Sequence, residues 1–157
     1  MTPLHVLLLA LLIGFFAGLR SLTPAAVVTW AAHLGWMKLD RPLAWMASAV
    51  AVGFFTILAL IELVTDQLPK TPARTAPPGL IARILLGALA GAAVAMAGAQ
   101  GAMAGAALGI VGALIGTFGG YRARTRLVRA LGVPDHVVAV LEDLLTIGGS
   151  LWVVSRF

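Results

Sequence analysis

Residues 12–23 read LIGFFAGLRSLT, and residues 114–125 read LIGTFGGYRART. Seven of the twelve letters agree at a constant offset of 102, and an arginine stands near the end of each copy. A phrase stated twice in a short apolar chain raises two questions. One is how the two copies sit relative to each other. The other is what an arginine does at the end of an apolar run.

Composition sets the solvent. The chain is 61% hydrophobic and 11% charged, with a mean hydropathy of +1.01. A soluble domain carries about 25% charged residues. A water-exposed globule of this composition has too few polar groups to cover its surface. An integral membrane protein is the expected class. There is no cysteine, so disulfide and thiol chemistry are excluded. The net charge is +5. The basic residues stand between apolar runs, a pattern of membrane topology, so nucleic acid is not an expected partner. The first run, MTPLHVLLLALL, has no Lys or Arg ahead of it and is read as a retained span.

About 20 mostly apolar residues cross a bilayer as a helix. Five stretches qualify: about Pro3–Leu19, about Leu43–Val64, Gly79–Gly98, Gly101–Tyr121 and His136–Val154. They lack strand alternation, so the expected fold is an all-α membrane domain over residues 1–157. QLPKTPARTAPP at 67–78 holds four prolines and is read as a loop. Residues 24–36, opened by Thr23-Pro24, are expected to form a short extra helix. An interfacial placement is favoured over a re-entrant one.

Five spans place the termini on opposite sides. Lys70, Arg74, Arg122, Arg124, Arg126 and Arg129, with Arg83 nearby, then share a side with the N-terminus. Arg20, Lys38, Arg41 and Arg156 fall on the other. The positive-inside rule makes the N-terminus cytoplasmic and the C-terminus external, in a bacterial inner membrane. Trp30, Trp36, Trp45 and Trp152 share the outer side.

In this arrangement the first and fourth spans are antiparallel, so the duplicated phrase forms an inverted-topology repeat, a common plan in transporters. Chance resemblance between two glycine-rich helices is the alternative. The glycines Gly14, Gly18, Gly87, Gly91, Gly105, Gly109, Gly112, Gly116 and Gly120 recur four apart or in step with that spacing. They are read as helix-packing positions, because close backbone approach holds helices together in lipid.

Ionisable groups inside a span cost roughly 2.5–3.5 kcal/mol each on the insertion scale. Arg20, Glu62, Asp66, Arg83, Arg122, Glu142 and Asp143 are therefore the candidates for a polar pathway. Arg20, Ser21 and Thr23 precede or open the short helix and form a candidate anion or lipid-headgroup site. No protease, hydrolase-elbow or nucleotide-loop motif occurs, so no enzyme activity, cofactor or metal is expected.

GLRSLTP, IELVTDQLP, GLIARILLGALAG and LEDLLTIGGSL together resemble the bacterial membrane family called domain of unknown function 4126. The Glu-x-x-x-Asp-Lys-x-Pro pattern of that family corresponds to Glu62, Asp66, Gln67 and Pro69, with Gln67 in the place of lysine. The resemblance implies a small bacterial inner-membrane protein and adds weight to Glu62, Asp66, Arg83 and Glu142. It supplies no substrate. The expected function is a transporter or channel for an ion, small solute or lipid headgroup, as a homo-oligomer in which a dimer is favoured. A non-transporting membrane assembly or interaction protein is the alternative.

Overall fold

Thr2 accepts a hydrogen bond from the His5 amide, and Pro3 takes the first helical position, where its missing N–H costs nothing. From there helix α1 runs Pro3–Leu19. The computed structural model describes residues 1–65 and 75–157, and every regular element among them is helical. Asp66, Gln67, Pro69, Lys70 and Arg74 lie outside the described residues. After α1 come α2 (Leu22–His33), a short 3-10 turn at Ala44–Ala47, α3 (Ala49–Thr65), α4 (Pro77–Ala97), α5 (Ala102–Leu131) and α6 (Asp135–Val154).

Among the described residues, five long helices and one short one agree with the sequence expectation. The starts of α3 and the end of α5 differ from it. The run from Leu43 is interrupted at Ser48, whose extended backbone and Oγ, accepting from the Ala51 amide at 3.1 Å, begin a new helix. Helix α5 continues past Tyr121 through an arginine-rich segment to Leu131 and stops at Gly132, whose φ is +61°. Hydropathy marks where lipid ends; arginine is a good helix former, so the helix need not end there.

Direction follows from contacts. Arg83, early in α4, reaches the Gly18 carbonyl, and a side-chain carbon on Gly98 would strike Val6, so α4 is antiparallel to α1. Gly87 faces Gly109 and Gly91 faces Gly105, so α5 is antiparallel to α4. Helix α1 and helix α5 therefore point the same way, and their direct contacts agree: Gly14 meets Gly109, and Gly18 meets Ala113, Gly116 and Thr117. The two copies of the repeated phrase lie side by side in parallel. The expectation of an inverted repeat is corrected, because antiparallel copies would reverse that contact order.

The count of passes changes with it. Leu22 meets Glu62, Trp30 bonds Thr56 and His33 bonds the Ala47 carbonyl, so α2 heads away from the Arg20 end and α3 returns to it. Met37, Leu43 and Met46 belong to the same apolar core as Leu9, Val153 and Val154. Helix α6 begins at the Arg20 end, where Arg124 pairs with Asp135, and runs away from it. Both termini thus lie at one end of the bundle, not at opposite ends as the five-span reading required. The short helix adds the extra reversal of the chain, and Thr23, Ala25, Val28, Thr29 and Ala31 are buried in the bundle.

Three helices, α4, α5 and α6, are long and apolar enough to cross a membrane, and α1 and α3 are shorter apolar helices. Large side chains such as Leu4, Val50, Phe54, Ile57, Leu85 and Leu144 point outward and exposed, as lipid-facing residues do. Glycine decides how close the inner helices come. A β-carbon on Gly109 would stand 2.1 Å from the Gly87 carbonyl oxygen, and one on Gly112 2.1 Å from that of Leu11. Gly14, Gly18, Gly91, Gly105 and Gly116 meet neighbouring backbone equally closely, and Gly120 is buried.

Gly109→Ala and Gly112→Ala are each expected to lower thermal stability in detergent, by about 1–3 kcal/mol of overpacking. Gly53→Ala and Gly148→Ala, with open space at the new methyl, should hold or raise it. Equal effects at all four positions would refute the packing assignment. Tags on the two termini should be reached by a protease from the same side of sealed vesicles; access from opposite sides would refute the chain path.

Candidate functional site

The chain breaks at Arg20–Ser21, inside the bundle, and the break gathers the polar residues. Helix α1 ends there with Arg20 extended, at φ −137° and ψ 116°. Helix α2 starts at once, with Ser21 ahead of it making no side-chain cap. The cap comes from another helix. Glu62 of α3 accepts the Ser21 amide at 2.8 Å on Oε1 and the Leu22 amide at 2.8 Å on Oε2. The Ser21 hydroxyl also donates to Oε1. The carboxylate sits on the free N–H groups and the positive dipole end of α2, where anions are stabilised. The anion site expected from Arg20, Ser21 and Thr23 is thus filled, in part, by the protein's own Glu62.

Arg20 is completely buried and its Nε donates to Asp143 Oδ1 of α6 at 2.5 Å. It does not reach toward headgroups. Arg83, 5% exposed, stays inside as well: Nε donates to the Gly18 carbonyl at 3.2 Å and an Nη to the Gly79 carbonyl at 3.1 Å. The Thr117 hydroxyl lies at 3.2 Å from the same Gly18 oxygen and 2.7 Å from the Ala113 carbonyl. Gly18 is among the last carbonyls of α1, which have no partner within their own helix. Arg83 and Thr117 supply that partner.

A second ion-pair group bridges α5 and α6. Arg124 pairs with both oxygens of Asp135 and, at 3.4 Å, with Glu142 Oε2. Beside it an open cleft of about 280 Å³ is walled by Phe15, Leu19, Ala123, Leu127, Val138, Leu141 and Leu145, with Arg124 and Glu142 at its edge. The Thr23 and Ser150 hydroxyls are buried without a hydrogen-bond partner among the described residues.

The structure therefore sets the Arg20–Asp143 pair beside the Ser21–Glu62 cap at the α1–α2 break and places Arg83 on its α1 side. Glu142 belongs to the Arg124 group. Arg122 is exposed and joins neither. Three participants were missed by sequence reasoning: Arg124, Asp135 and Thr117. A signal for Arg124 existed. Gly112, Gly116 and Gly120 are spaced four apart, and the next step of that stripe is Arg124, on the face that packs inward.

This arrangement covers nearly the whole length that a family profile recognises, residues 7–155. The chain belongs to the family described as domain of unknown function (DUF4126). It is an all-helical membrane protein of that family. No curated protein and no solved structure matches it.

A buried pair is most costly when only one partner is removed, at about 3–5 kcal/mol. Arg20→Met and Asp143→Leu are each expected to destabilise by that order in thermal or denaturant unfolding. The double variant should recover part of the loss, with a coupling of about 1–3 kcal/mol. Strictly additive losses would show that the pair makes no joint contribution.

Proposed function

We propose that this protein is a small bacterial inner-membrane carrier for an anionic solute, working without catalysis. One observation carries the reading: the N-terminus of a buried half-length helix, α2, is closed by a carboxylate from a different helix beside a fully buried arginine. Half-helix N-termini at membrane depth are where transporters hold anionic groups. Glu62 occupies the seat in this state. An incoming anion takes its place on the Ser21 and Leu22 amides when Glu62 withdraws, with Arg20 supplying the counter-charge. Thr23 and Ser150 offer buried hydroxyls close to the same helices as further donors. A static, fully paired network would do none of this, so movement of Glu62 is the central step.

Orientation follows from charge. Arg122, Arg124, Arg126 and Arg129 crowd the end of the bundle where Arg20 lies, and that end is read as cytoplasmic. Both termini then face outward. A dimer completes the wall that so few helices leave thin. The second reading, a non-transporting partner for another membrane protein, is favoured by the internal pairing of Arg20 with Asp143, which needs no cargo.

Proteoliposomes loaded in turn with chloride, phosphate and small carboxylates provide the test. At least one anion should move. Arg20→Gln should abolish that flux, and Glu62→Gln should change its rate by about tenfold or more, the scale of a lost charge-assisted contact of roughly 1.5–3 kcal/mol. No flux of any anion, or flux indifferent to both substitutions, would sink the carrier reading.

A further inference from the structure

We propose that the cargo is a monocarboxylate, and that it enters the seat on the Ser21 and Leu22 amides together with one proton, which Glu62 takes up as it withdraws. The proposal rests on the carrier reading and adds to it a class of solute and a coupling. Two observations carry it. The first is the shape of the seat. Glu62 is held as a fork: Oε1 accepts the Ser21 amide and hydroxyl, and Oε2 accepts the Leu22 amide, each amide at 2.8 Å. Adjacent donors at a helix N-terminus, one to each oxygen, suit a planar group whose two oxygens share a single charge. A halide offers one centre to both amides, and a phosphate brings more oxygens than these donors meet. The occupant in hand is itself a carboxylate on a short apolar arm, and a solute of that pattern can replace it bond for bond. Thr23, on the first turn of the same helix, is buried, and its hydroxyl has no hydrogen-bond partner among the described residues. It is a further donor for the incoming group.

The second observation is the charge balance at the break. Glu62 and Asp143 of α6 are the buried acids there, and Arg20 and Arg83 of α4 are the buried cations. Glu142, next to Asp143, pairs with Arg124 of α5. Among the described residues the break is therefore neutral with Glu62 ionised in its seat. An anion admitted beside an ionised, displaced Glu62 leaves one negative charge in excess inside an apolar bundle, which is strongly opposed. Asp143 keeps its arginine, with Arg20 Nε at 2.5 Å. Of the two acids only Glu62 loses its donors to the cargo, so Glu62 takes the proton. The cycle balances. The solute brings one negative charge, and a proton from the same aqueous side neutralises Glu62. Both leave on the other side when the Glu62 carboxylate re-forms and returns to the amides. One proton crosses with each solute, and no net charge moves.

Pyruvate is the probe, because its acid form is scarce near neutral pH and little of it crosses lipid without a carrier. The full chain in detergent is titrated with pyruvate, chloride and phosphate, and the rise in melting temperature gives an apparent Kd for each. Pyruvate should bind more tightly than chloride or phosphate. Its apparent Kd should increase by about tenfold per pH unit as pH rises, the slope for one proton taken up per anion bound. Glu62→Gln, which cannot ionise, should remove that slope, and its melting curve without anion reports folding. In proteoliposomes an inward pyruvate gradient should acidify the lumen beyond that of protein-free vesicles, at a rate unchanged by clamping the membrane potential. Pyruvate binding without a pH slope, or uptake that carries net charge, overturns the coupling and leaves the carrier reading standing. Chloride or phosphate bound more tightly than pyruvate overturns the choice of solute, again without touching that reading. Flux of no anion at all removes the carrier reading and this proposal together.

Discussion

A helix that ends inside an apolar bundle leaves amides and carbonyls with no water to satisfy them, and the break at Arg20–Ser21 makes the rest of this structure necessary. Both sides of the break are exposed to that penalty. The carbonyl of Gly18 needs donors, and Arg83 and Thr117 provide them. The amides of Ser21 and Leu22 need an acceptor, and Glu62 provides it from α3. Each rescuing group carries its own cost in lipid, which explains why ionisable residues appear in an otherwise apolar chain. A buried charge left alone is far more expensive than a buried pair. Arg20 and Asp143 settle the remaining charge next to the break.

Those contacts are only reachable because the helices nearly touch. Lipid supplies no hydrophobic drive between spans, so attraction depends on close backbone approach and on polar bonds. The glycines of α1, α4 and α5 put carbonyl oxygens where a side chain would otherwise stand. With alanines in their place the axes would move apart and Thr117 would lose the Gly18 carbonyl. The glycine seam and the polar break are therefore one design, the first setting the distance and the second using it. Helix α6 is held differently, by Phe16 lying over Gly149 and by two ion-pair groups. That looser attachment is consistent with the open cleft between α5 and α6.

Much of this was legible beforehand. The bounds of α1, α4 and α6 follow from hydropathy and proline to within two residues, and the glycine spacing marked the tight helix contacts. The charges that matter were also visible, since Arg20, Glu62, Arg83, Glu142 and Asp143 stand out against apolar neighbours. Pairing was not visible. Which acid meets which arginine depends on the direction of each helix, and direction rests on a count of passes. The short helix α2 was too short to register as a pass, and leaving it out reversed every later helix. Its burial comes from tertiary packing, to which a thirteen-residue window of hydropathy is blind. Thr117 was hidden for a simpler reason: a threonine bonding to its own helix's carbonyl has no sequence signature.

The repeated phrase shows how similar strings acquire different chemistry. With the copies parallel, equal positions would be expected to meet, yet Gly18 faces Ala113, Gly116 and Thr117 and not its counterpart Gly120. The second copy is displaced by about one turn toward the polar end. Arg20 consequently ends its copy inside the bundle, while Arg122 ends the other beyond it, exposed. The role of an inward arginine on α5 passes to Arg124, further along, which meets Glu142 of α6 as Arg20 meets the adjacent Asp143. Neighbouring acids on one helix thus serve two arginines from two parallel helices. Because adjacent helical positions point about 100° apart, Glu142 and Asp143 can each face a different partner without competing. The likeness between the copies survives in their packing glycines and is lost in their charges, as expected when close approach is demanded of both helices and a chain break of only one.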